Sequence, residues 1–323
     1  MSARKEGVLS SYDGTSLQYC SEGEGLPLIT CNGILCSLGY WVYFRPYFRR
    51  TCRVICWDYR GHGKSGLPAD PSHVGIDSHC QDLKTIMDGL DIPKAVLVGH
   101  SMGVQVILEF YKNHPERVSG LLPICGTYGY PFRTFYGRPW MENIYPPIFT
   151  LGERHARDIE RIFKPLLRTR LPVPIARLTR AIHWYLCPTE IMKDYFLQIS
   201  RMDFECGFRS MMAMATHSAE EVLGGIKVPT LIIAGEKDLF TPVWVAEKMW
   251  RDIPGAELLV IPRGSHTALV ENPSLMNLRV EVFLRDHFQQ EGFVSKKGRS
   301  RTRTPARTSP KRTSRKRAHT QSP

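Results

Sequence analysis

Residues 97–104 read LVGHSMGV, and this octapeptide decides how the rest of the chain is interpreted. It closes the apolar run AVLVGH and places Ser101 between Gly99 and Gly103. Where a strand turns sharply into a helix, side chains at the two flanking positions would collide, and glycine avoids that collision. We therefore predict a buried strand before Ser101, a helix after it, and a hydroxyl raised above the sheet.

Further short apolar runs are spread along the chain, and they are continuous rather than alternating in polarity. Strands of this kind are buried on both faces, as in a parallel sheet covered by helices. The runs span residues 26–32, 52–58, 95–100, 118–125, 230–236 and 257–262. Helical patterns alternate with them at about 76–90, 102–113, 243–252 and 274–288. Together with a hairpin predicted at Asp13-Gly14, this alternation indicates an α/β fold with an open, mostly parallel sheet.

The alternation stops between residues 127 and 226, a stretch rich in proline and large apolar side chains. Because a loop of that length needs structure of its own, we predict a helical cap inserted after the sixth strand. Its basic segment 154–180 is interpreted either as a solvated helix face or as an attraction for an acidic substrate. The predicted organisation is a core in two parts, the cap, and a tail, with boundaries at 1–126, 127–226, 227–290 and 291–323.

The formal net charge of +12 is concentrated at the carboxyl terminus. Eleven Lys and Arg residues and no acidic residue lie between Lys296 and Pro323, which leaves thirty-two basic and thirty-one acidic residues elsewhere. The tail has almost nothing apolar to bury, so we predict that it is disordered. It either binds nucleic acid or an anionic surface without sequence preference, or is simply solvated.

The nine cysteines are an odd number and form no C-x-x-C pair. We therefore expect reduced core residues rather than disulfides or zinc ligands. The amino-terminal sequence lacks the apolar run of a signal peptide, and no stretch is long enough to cross a bilayer. These features predict a soluble, cytoplasmic protein.

A serine hydroxyl is a weak nucleophile at neutral pH, so its use in catalysis requires a base, an orienting acid and donors for an oxyanion. The backbone N–H of Met102, at the start of the predicted helix, is one such donor. The pattern G-x-S-x-G also arises by chance. Here the predicted strand and helix flank it, and we predict that Ser101 is the nucleophile.

In this context the sequence resembles the α/β-hydrolase superfamily over about residues 7–290. The superfamily carries its nucleophile, acid and histidine in that order. The resemblance implies Asp238, in PTLIIAGEKDLFTP, as the acid and His266, in ELLVIPRGSHTALVENP, as the base. Both follow predicted strands, at the edge where open α/β sheets place their sites. Two alternatives stay open: Glu236 as the acid, and Asp238 as a helix cap.

The resemblance also implies the N–H of Ile34 as the second oxyanion donor. Relatives commonly carry His-Gly before this position, whereas this chain has Asn32-Gly33. The Asn32 amide is expected either to orient the loop or to contact substrate. The aromatic and methionine-rich composition of the cap predicts an apolar pocket. The candidate pocket residues are Asn32, His100, Trp140, Trp184 and Met211.

These residues predict a hydrolase in which His266 takes the Ser101 proton and an acyl-enzyme is formed and then hydrolysed. The resemblance implies neither cofactor nor metal. The expected substrate is a carboxylic ester or lactone with a medium-sized apolar acyl or aromatic group. Other reactions hosted by the superfamily are alternatives, namely carbon–carbon bond hydrolysis and haloperoxidase-like chemistry. A small-molecule-binding protein with a vestigial triad is the non-enzymatic alternative.

Overall fold

Eight strands form one sheet in the order β1-β2-β4-β3-β5-β6-β7-β8 in a computed structural model, which describes residues 4–289. The strands are β1 (Lys5–Ser10), β2 (Ser16–Glu22), β3 (Leu26–Cys31), β4 (Cys52–Trp57), β5 (Ala95–His100), β6 (Val118–Ile124), β7 (Leu231–Gly235) and β8 (Glu257–Ile261). The predicted tail, 291–323, and its expected partners lie outside the described residues.

The sheet is parallel from β4 to β8 and antiparallel at the β1 edge. β2 pairs antiparallel with both β1 and β4, and every later pair is parallel. The first hairpin turns at Asp13-Gly14, where Gly14 has a φ of +84° and the Asp13 carboxylate accepts the Thr15 N–H at 3.1 Å. An Asp side chain that bonds the backbone two residues ahead favours such a turn. The predicted α/β sheet and its hairpin are confirmed.

Helices cover both faces of this sheet. Their bounds are α1 (Phe44–Phe48), α2 (Ile76–Gly89), α3 (Met102–Asn113), α4 (Tyr145–Arg154), α5 (Ala156–Leu167), α6 (Pro172–Leu178), α7 (Thr189–Ile199), α8 (Phe204–Thr216), α9 (Val243–Asp252), α10 (Ala268–Glu271) and α11 (Pro273–Phe288). One apolar cluster joins α2, α3 and α9 to the sheet, and a second joins α1, α10 and α11 to its other face. Five of the six continuous apolar strands are therefore largely buried on both sides, as their sequence predicted, whereas the edge strand β8 is only partly buried.

All the elements between β6 and β7 are helical in the described chain, apart from one isolated bridge between Gly129 and Ser218. Helices α4 to α8 pack on one another, with contacts between α4 and α8, α5 and α8, and α6 and α7. We call residues 127–226 the cap. All nine cysteines are buried and unpaired, as predicted. In residues 4–289 no helix combines the length and the apolar character that crossing a membrane requires.

Candidate active site

The turn between β5 and α3 holds Ser101 in a backbone conformation that side chains rarely adopt, with φ 54° and ψ −117°. A Cβ on Gly99 would lie 2.4 Å from the Gly103 carbonyl oxygen, and one on Gly103 would lie 2.2 Å from the Cys31 carbonyl oxygen. Only glycine fits at either position. Strain of this kind costs about 1–3 kcal/mol and persists where the surrounding structure enforces it. The turn thus holds Ser101 beyond the end of its strand.

The chain brings three predicted site residues together at the carboxyl ends of β5, β7 and β8. His266 Nε2 lies 2.9 Å from Ser101 Oγ, and His266 Nδ1 lies 2.9 Å from Asp238 Oδ2. The carboxylate can only accept, so Nδ1 carries the hydrogen and donates it. Nε2 then presents its lone pair to the serine hydroxyl. This arrangement can remove the Ser101 proton and return it to a leaving group.

Asp238 is held by donors on both of its oxygens. Oδ1 accepts the N–H groups of Phe240 and Thr241 at 2.8 and 3.0 Å, and Oδ2 accepts the Thr241 hydroxyl at 2.7 Å. Glu236, the alternative acid, is exposed and instead accepts the Arg263 N–H at 2.7 Å. Asp238 is therefore the carboxylate that orients His266.

The two predicted oxyanion donors lie beside the serine. One cavity is lined by Ile34, Met102, Ser101 and His266. The loop before Ile34 is close to the serine, because a Cβ built on Gly33 would lie 3.2 Å from the Ser101 Cβ. Within residues 4–289, neither the Ile34 N–H nor the Met102 N–H has a hydrogen-bond acceptor. Two unused backbone donors next to a nucleophile suit the stabilisation of a developing oxyanion.

His100 supports the loop that carries His266. The His266 carbonyl oxygen is 3.0 Å from His100 Nε2, and a carbonyl only accepts, so this nitrogen carries the hydrogen and donates it. Burial first, and then the neighbouring His266, lower the pKa of His100 to about 3. His100 is thus a neutral imidazole that links the nucleophile's strand to the histidine loop, and it also lines the cavity.

Glu271 is a site residue that the sequence analysis did not identify. It is buried at the carboxyl end of α10, where it accepts the Ser265 N–H at 2.7 Å and the Ser265 and Thr267 hydroxyls at 2.6 Å each. It also accepts the His183 N–H of the cap at 2.9 Å. Glu271 therefore ties both neighbours of His266 to the cap. An acidic residue five positions after the histidine was the available signal.

A cavity of about 570 Å³ extends from the serine into the cap. Its lining is dominated by aromatic, methionine and aliphatic side chains, and it includes the predicted residues His100 and Met211. The other contributors include Tyr40, Phe132, Phe135, Tyr145, Phe149, Phe163, Leu166, Leu167, Ile175, Ile182, Met192, Tyr195, Phe196, Met214 and Phe240. No Lys, Arg, Asp or Glu of the described chain is among the lining residues.

Three of the predicted pocket residues do not line this cavity. The Asn32 amide is buried and occupied, because it donates to the Trp57 carbonyl oxygen and accepts the Trp41 indole N–H, both at 2.7 Å. Asn32 therefore orients its loop, which was one of its two expected roles. Trp140 and Trp184 are about half exposed on the outside of the cap. Their assignment to the pocket was wrong, because composition does not reveal which face of the cap points inward.

One class of α/β enzyme fold is defined by an open, mostly parallel sheet with a serine and a histidine facing each other at its carboxyl edge. The serine lies in the tight turn between a strand and a helix. Comparison with known proteins agrees with that class. The alpha/beta hydrolase fold family matches residues 27–143, and a family described as TAP-like protein matches residues 196–290. The chain belongs to the α/β-hydrolase superfamily.

Individual relatives are similar over most of the chain but at low identity. The 3-oxoadipate enol-lactonase 2 of Acinetobacter baylyi is 27% identical, over 84% of this chain and 93% of its own. The 2-hydroxy-6-oxononadienedioate/2-hydroxy-6-oxononatrienedioate hydrolase of Comamonas testosteroni is 27% identical, over 81% and 88%. The structure of Est816, an N-acyl homoserine lactone degrading enzyme, is 28% identical with a TM-score of 0.64, over 86% and 100%.

Proposed function

We propose that this hydrolase uses Ser101 as a nucleophile to cleave an uncharged carboxylic ester or lactone through an acyl-enzyme. The observation that carries the proposal is the pair of 2.9 Å distances that connect Ser101 to His266 and His266 to Asp238. A hydroxyl, an imidazole with a fixed tautomer and a buried carboxylate in this order are what nucleophilic acyl transfer requires.

In the proposed mechanism, His266 Nε2 takes the hydroxyl proton as Ser101 Oγ attacks the carbonyl carbon. The N–H groups of Ile34 and Met102 stabilise the oxyanion of the tetrahedral intermediate. The intermediate then collapses, and His266 returns the proton to the leaving alcohol. Water, deprotonated by the same nitrogen, attacks the acyl-enzyme, and the carboxylic acid leaves as Ser101 recovers its proton.

The lining of the cavity supports an uncharged substrate. Burying a carboxylate without a charged partner is strongly unfavourable, and no Lys or Arg among residues 4–289 lines this cavity. The names of the two curated relatives contain dicarboxylates, an oxoadipate and a dioate. The Est816 name contains a neutral acyl lactone, which is the chemistry that this lining favours.

Replacement of the nucleophile tests the mechanism. We expect Ser101→Ala to reduce hydrolysis of p-nitrophenyl hexanoate by about a thousandfold or more, since only the remaining site groups would act. Wild type should react with a fluorophosphonate probe, and mass spectrometry should place the adduct on Ser101. Ser274→Ala, which removes an exposed hydroxyl on α11, is the matched control and should keep full activity and labelling.

Three results would contradict this proposal. Equal turnover by Ser101→Ala and wild type would remove Ser101 from the mechanism. A folded wild type that never reacts with the probe would favour the binding protein with a vestigial triad. Labelling of Ser101 without cleavage of any ester or lactone, but with cleavage of a ring-cleavage ketone, would favour carbon–carbon bond hydrolysis.

A charged substrate analogue tests the substrate class separately. The p-nitrophenyl monoester of adipic acid matches the hexanoate in chain length but ends in a carboxylate. We expect its kcat/KM to be lower by about a hundredfold or more. The carboxylate would lose its hydration in the cavity without gaining a charged partner. Equal kcat/KM values for the two esters would refute the uncharged class while leaving Ser101 as nucleophile.

A further inference from the structure

Helix α6 turns an apolar stripe outward. Leu171, Ile175 and Leu178 are spaced by four and three residues, so they share one side of the helix. They are 55%, 51% and 76% exposed. The opposite side of the same helix buries Val173. Three large aliphatic side chains on one exposed stripe are unusual unless something apolar covers them.

Helix α5, which precedes α6 in the chain, has two further exposed apolar side chains, and one of them also lines the cavity. Ile162 is 68% exposed on its outer face, and Phe163 is half exposed while it also lines the cavity. Three of the residues that line the cavity are exposed, namely Phe163, Ile175 and Thr179. Phe163 lies on α5, Ile175 lies on α6, and Thr179 directly follows α6. The cavity therefore opens between these helices, within the apolar surface. We define the cap face as Ile162, Phe163, Leu171, Ile175 and Leu178.

Basic residues flank the cap face along the sequence. Residues 154–180 contain eight Lys or Arg residues and two acidic residues. Arg154, Arg157, Arg170 and Arg180 have no acidic partner among residues 4–289, and all four are exposed. None of these cations lines the cavity, so the alternative that the segment attracts an acidic substrate into the site is not supported.

We propose that the cap face docks on an anionic lipid surface, with the aliphatic side chains in the bilayer interface and the arginines on lipid headgroups. Amphipathic helices with apolar residues on one side and Lys or Arg beside them bind interfaces in this way. The charge selects an anionic occupant, and the cavity opening within the face gives apolar molecules a direct path from the bilayer. The docking itself does not depend on catalysis by Ser101.

Vesicle binding tests this proposal. Full-length protein is sedimented with large vesicles of phosphatidylcholine containing about one third phosphatidylserine, and with phosphatidylcholine alone. Wild type should bind the anionic vesicles more tightly. Ile162→Ser/Leu178→Ser should weaken that binding by about tenfold or more, because two apolar side chains no longer enter the interface. Arg157→Gln/Arg170→Gln should weaken it by about fivefold for each charge, the equivalent of ~1 kcal/mol each.

Matched variants separate the cap face from the rest of the surface. Leu278→Ser, 57% exposed on α11, and Arg251→Gln, exposed on α9, should bind vesicles as wild type does. Every variant keeps the basic tail, so binding by the tail is common to all of them. Ser101→Ala should also bind normally, and a soluble short-chain ester should be hydrolysed equally by the cap-face variants and wild type. Failure of docking and failure of the proposed chemistry are therefore distinguishable.

The proposal is overturned if the cap-face variants bind vesicles as tightly as wild type, or if the control variants lose binding equally. It is also overturned if wild type binds no vesicles and sediments as a dimer that Ile162→Ser/Leu178→Ser converts to a monomer. That last outcome would assign the cap face to a second copy of the chain. Tighter binding to neutral than to anionic vesicles would remove the role of the arginines.

Discussion

In the proposed mechanism, the tautomer of the His266 imidazole determines whether Ser101 can lose its proton. His266 Nδ1 donates to Asp238, and this leaves Nε2 free to accept the serine proton. If the carboxylate were replaced by an amide of the same shape, the amide N–H₂ could face Nδ1 and favour the opposite tautomer. The base would then be present in the site but unable to act.

Asp238→Asn tests this dependence at the scale of a single atom. We expect kcat to fall by about ten-thousandfold, the size of the loss seen when a triad carboxylate becomes an amide. The Tm should change little, because the backbone bonds to Oδ1 can remain. Glu236→Gln changes the neighbouring exposed carboxylate in the same way and should retain wild-type kcat. The opposite pattern, with the loss in Glu236→Gln, would make Glu236 the orienting acid.

The role of a residue could be predicted from sequence where only one residue type fits the local geometry. Gly99 and Gly103 flank a turn that excludes any Cβ, so the sequence alone placed Ser101 at a strand end. Asn32 was ambiguous because an amide serves equally well in a loop or in a pocket. Only the positions of Trp41 and Trp57, both brought near by folding, show that its amide is already occupied.

At the scale of elements, the closeness of α3 to β3 controls the position of Ser101. A Cβ added to Gly103 would lie 2.2 Å from the Cys31 carbonyl oxygen. We expect Gly103→Ala to destabilise the protein by about 3 kcal/mol, since backbone on both sides must shift, and to reduce esterase activity as Ser101 moves. Differential scanning calorimetry and p-nitrophenyl ester hydrolysis would measure both effects.

Gly224→Ala is the matched comparison for that substitution. No atom lies within 4 Å of an added Cβ there, and the position has no positive φ. Its Tm should stay equal or rise slightly, because alanine restricts the unfolded chain. A Gly103→Ala variant as stable as Gly224→Ala would show that α3 has room to move away from β3.

The elements differ in how far their positions follow from sequence. Continuous apolar runs predicted β5 at residues 95–100, and the structure gives Ala95–His100. The cap helices were expected only as a group, because their apolar residues occupy more than one side. In α6, Val173 points into the protein while Leu178 points outward, although both are aliphatic. Composition identified a helical cap but did not show its inner side, which is why Trp140 and Trp184 were misplaced.

At the scale of the whole molecule, the fold buries neutral histidines that cannot be protonated in place. Burial lowers the pKa of His62 to about 4 and that of His100 to about 3. Burial, and then the charges of His62 and Arg60, hold the pKa of His79 well below its ordinary value. Each of these groups binds its proton more readily in the unfolded chain, whose histidines have a pKa near 6.5. Acid therefore favours unfolding.

Two buried carboxylates, Asp58 and Asp82, act in the opposite direction, because burial raises the pKa of each. Burial raises the pKa of Asp58 to about 6, so its protonation in the folded state offsets part of the loss as the pH falls from about 6. Three histidines whose pKa values are lowered stand against these two carboxylates, so protonation still favours the unfolded chain. The net effect of acid between pH 6.5 and pH 4 is therefore a loss of stability.

We expect the folded protein to be stable at pH 7 and to unfold cooperatively between about pH 6 and pH 4, as measured by circular dichroism during acid titration.

His79→Phe should move the acid midpoint to lower pH, because it removes a titrating group whose ring nitrogens have no hydrogen-bond partner within residues 4–289. Phenylalanine also preserves the stacking on Tyr59. His73→Phe, which alters a partly exposed histidine, is the comparison and should leave the midpoint unchanged. A wild type that remains folded at pH 4, or equal midpoints for His79→Phe and wild type, would show that the buried histidines do not set the acid limit of this fold.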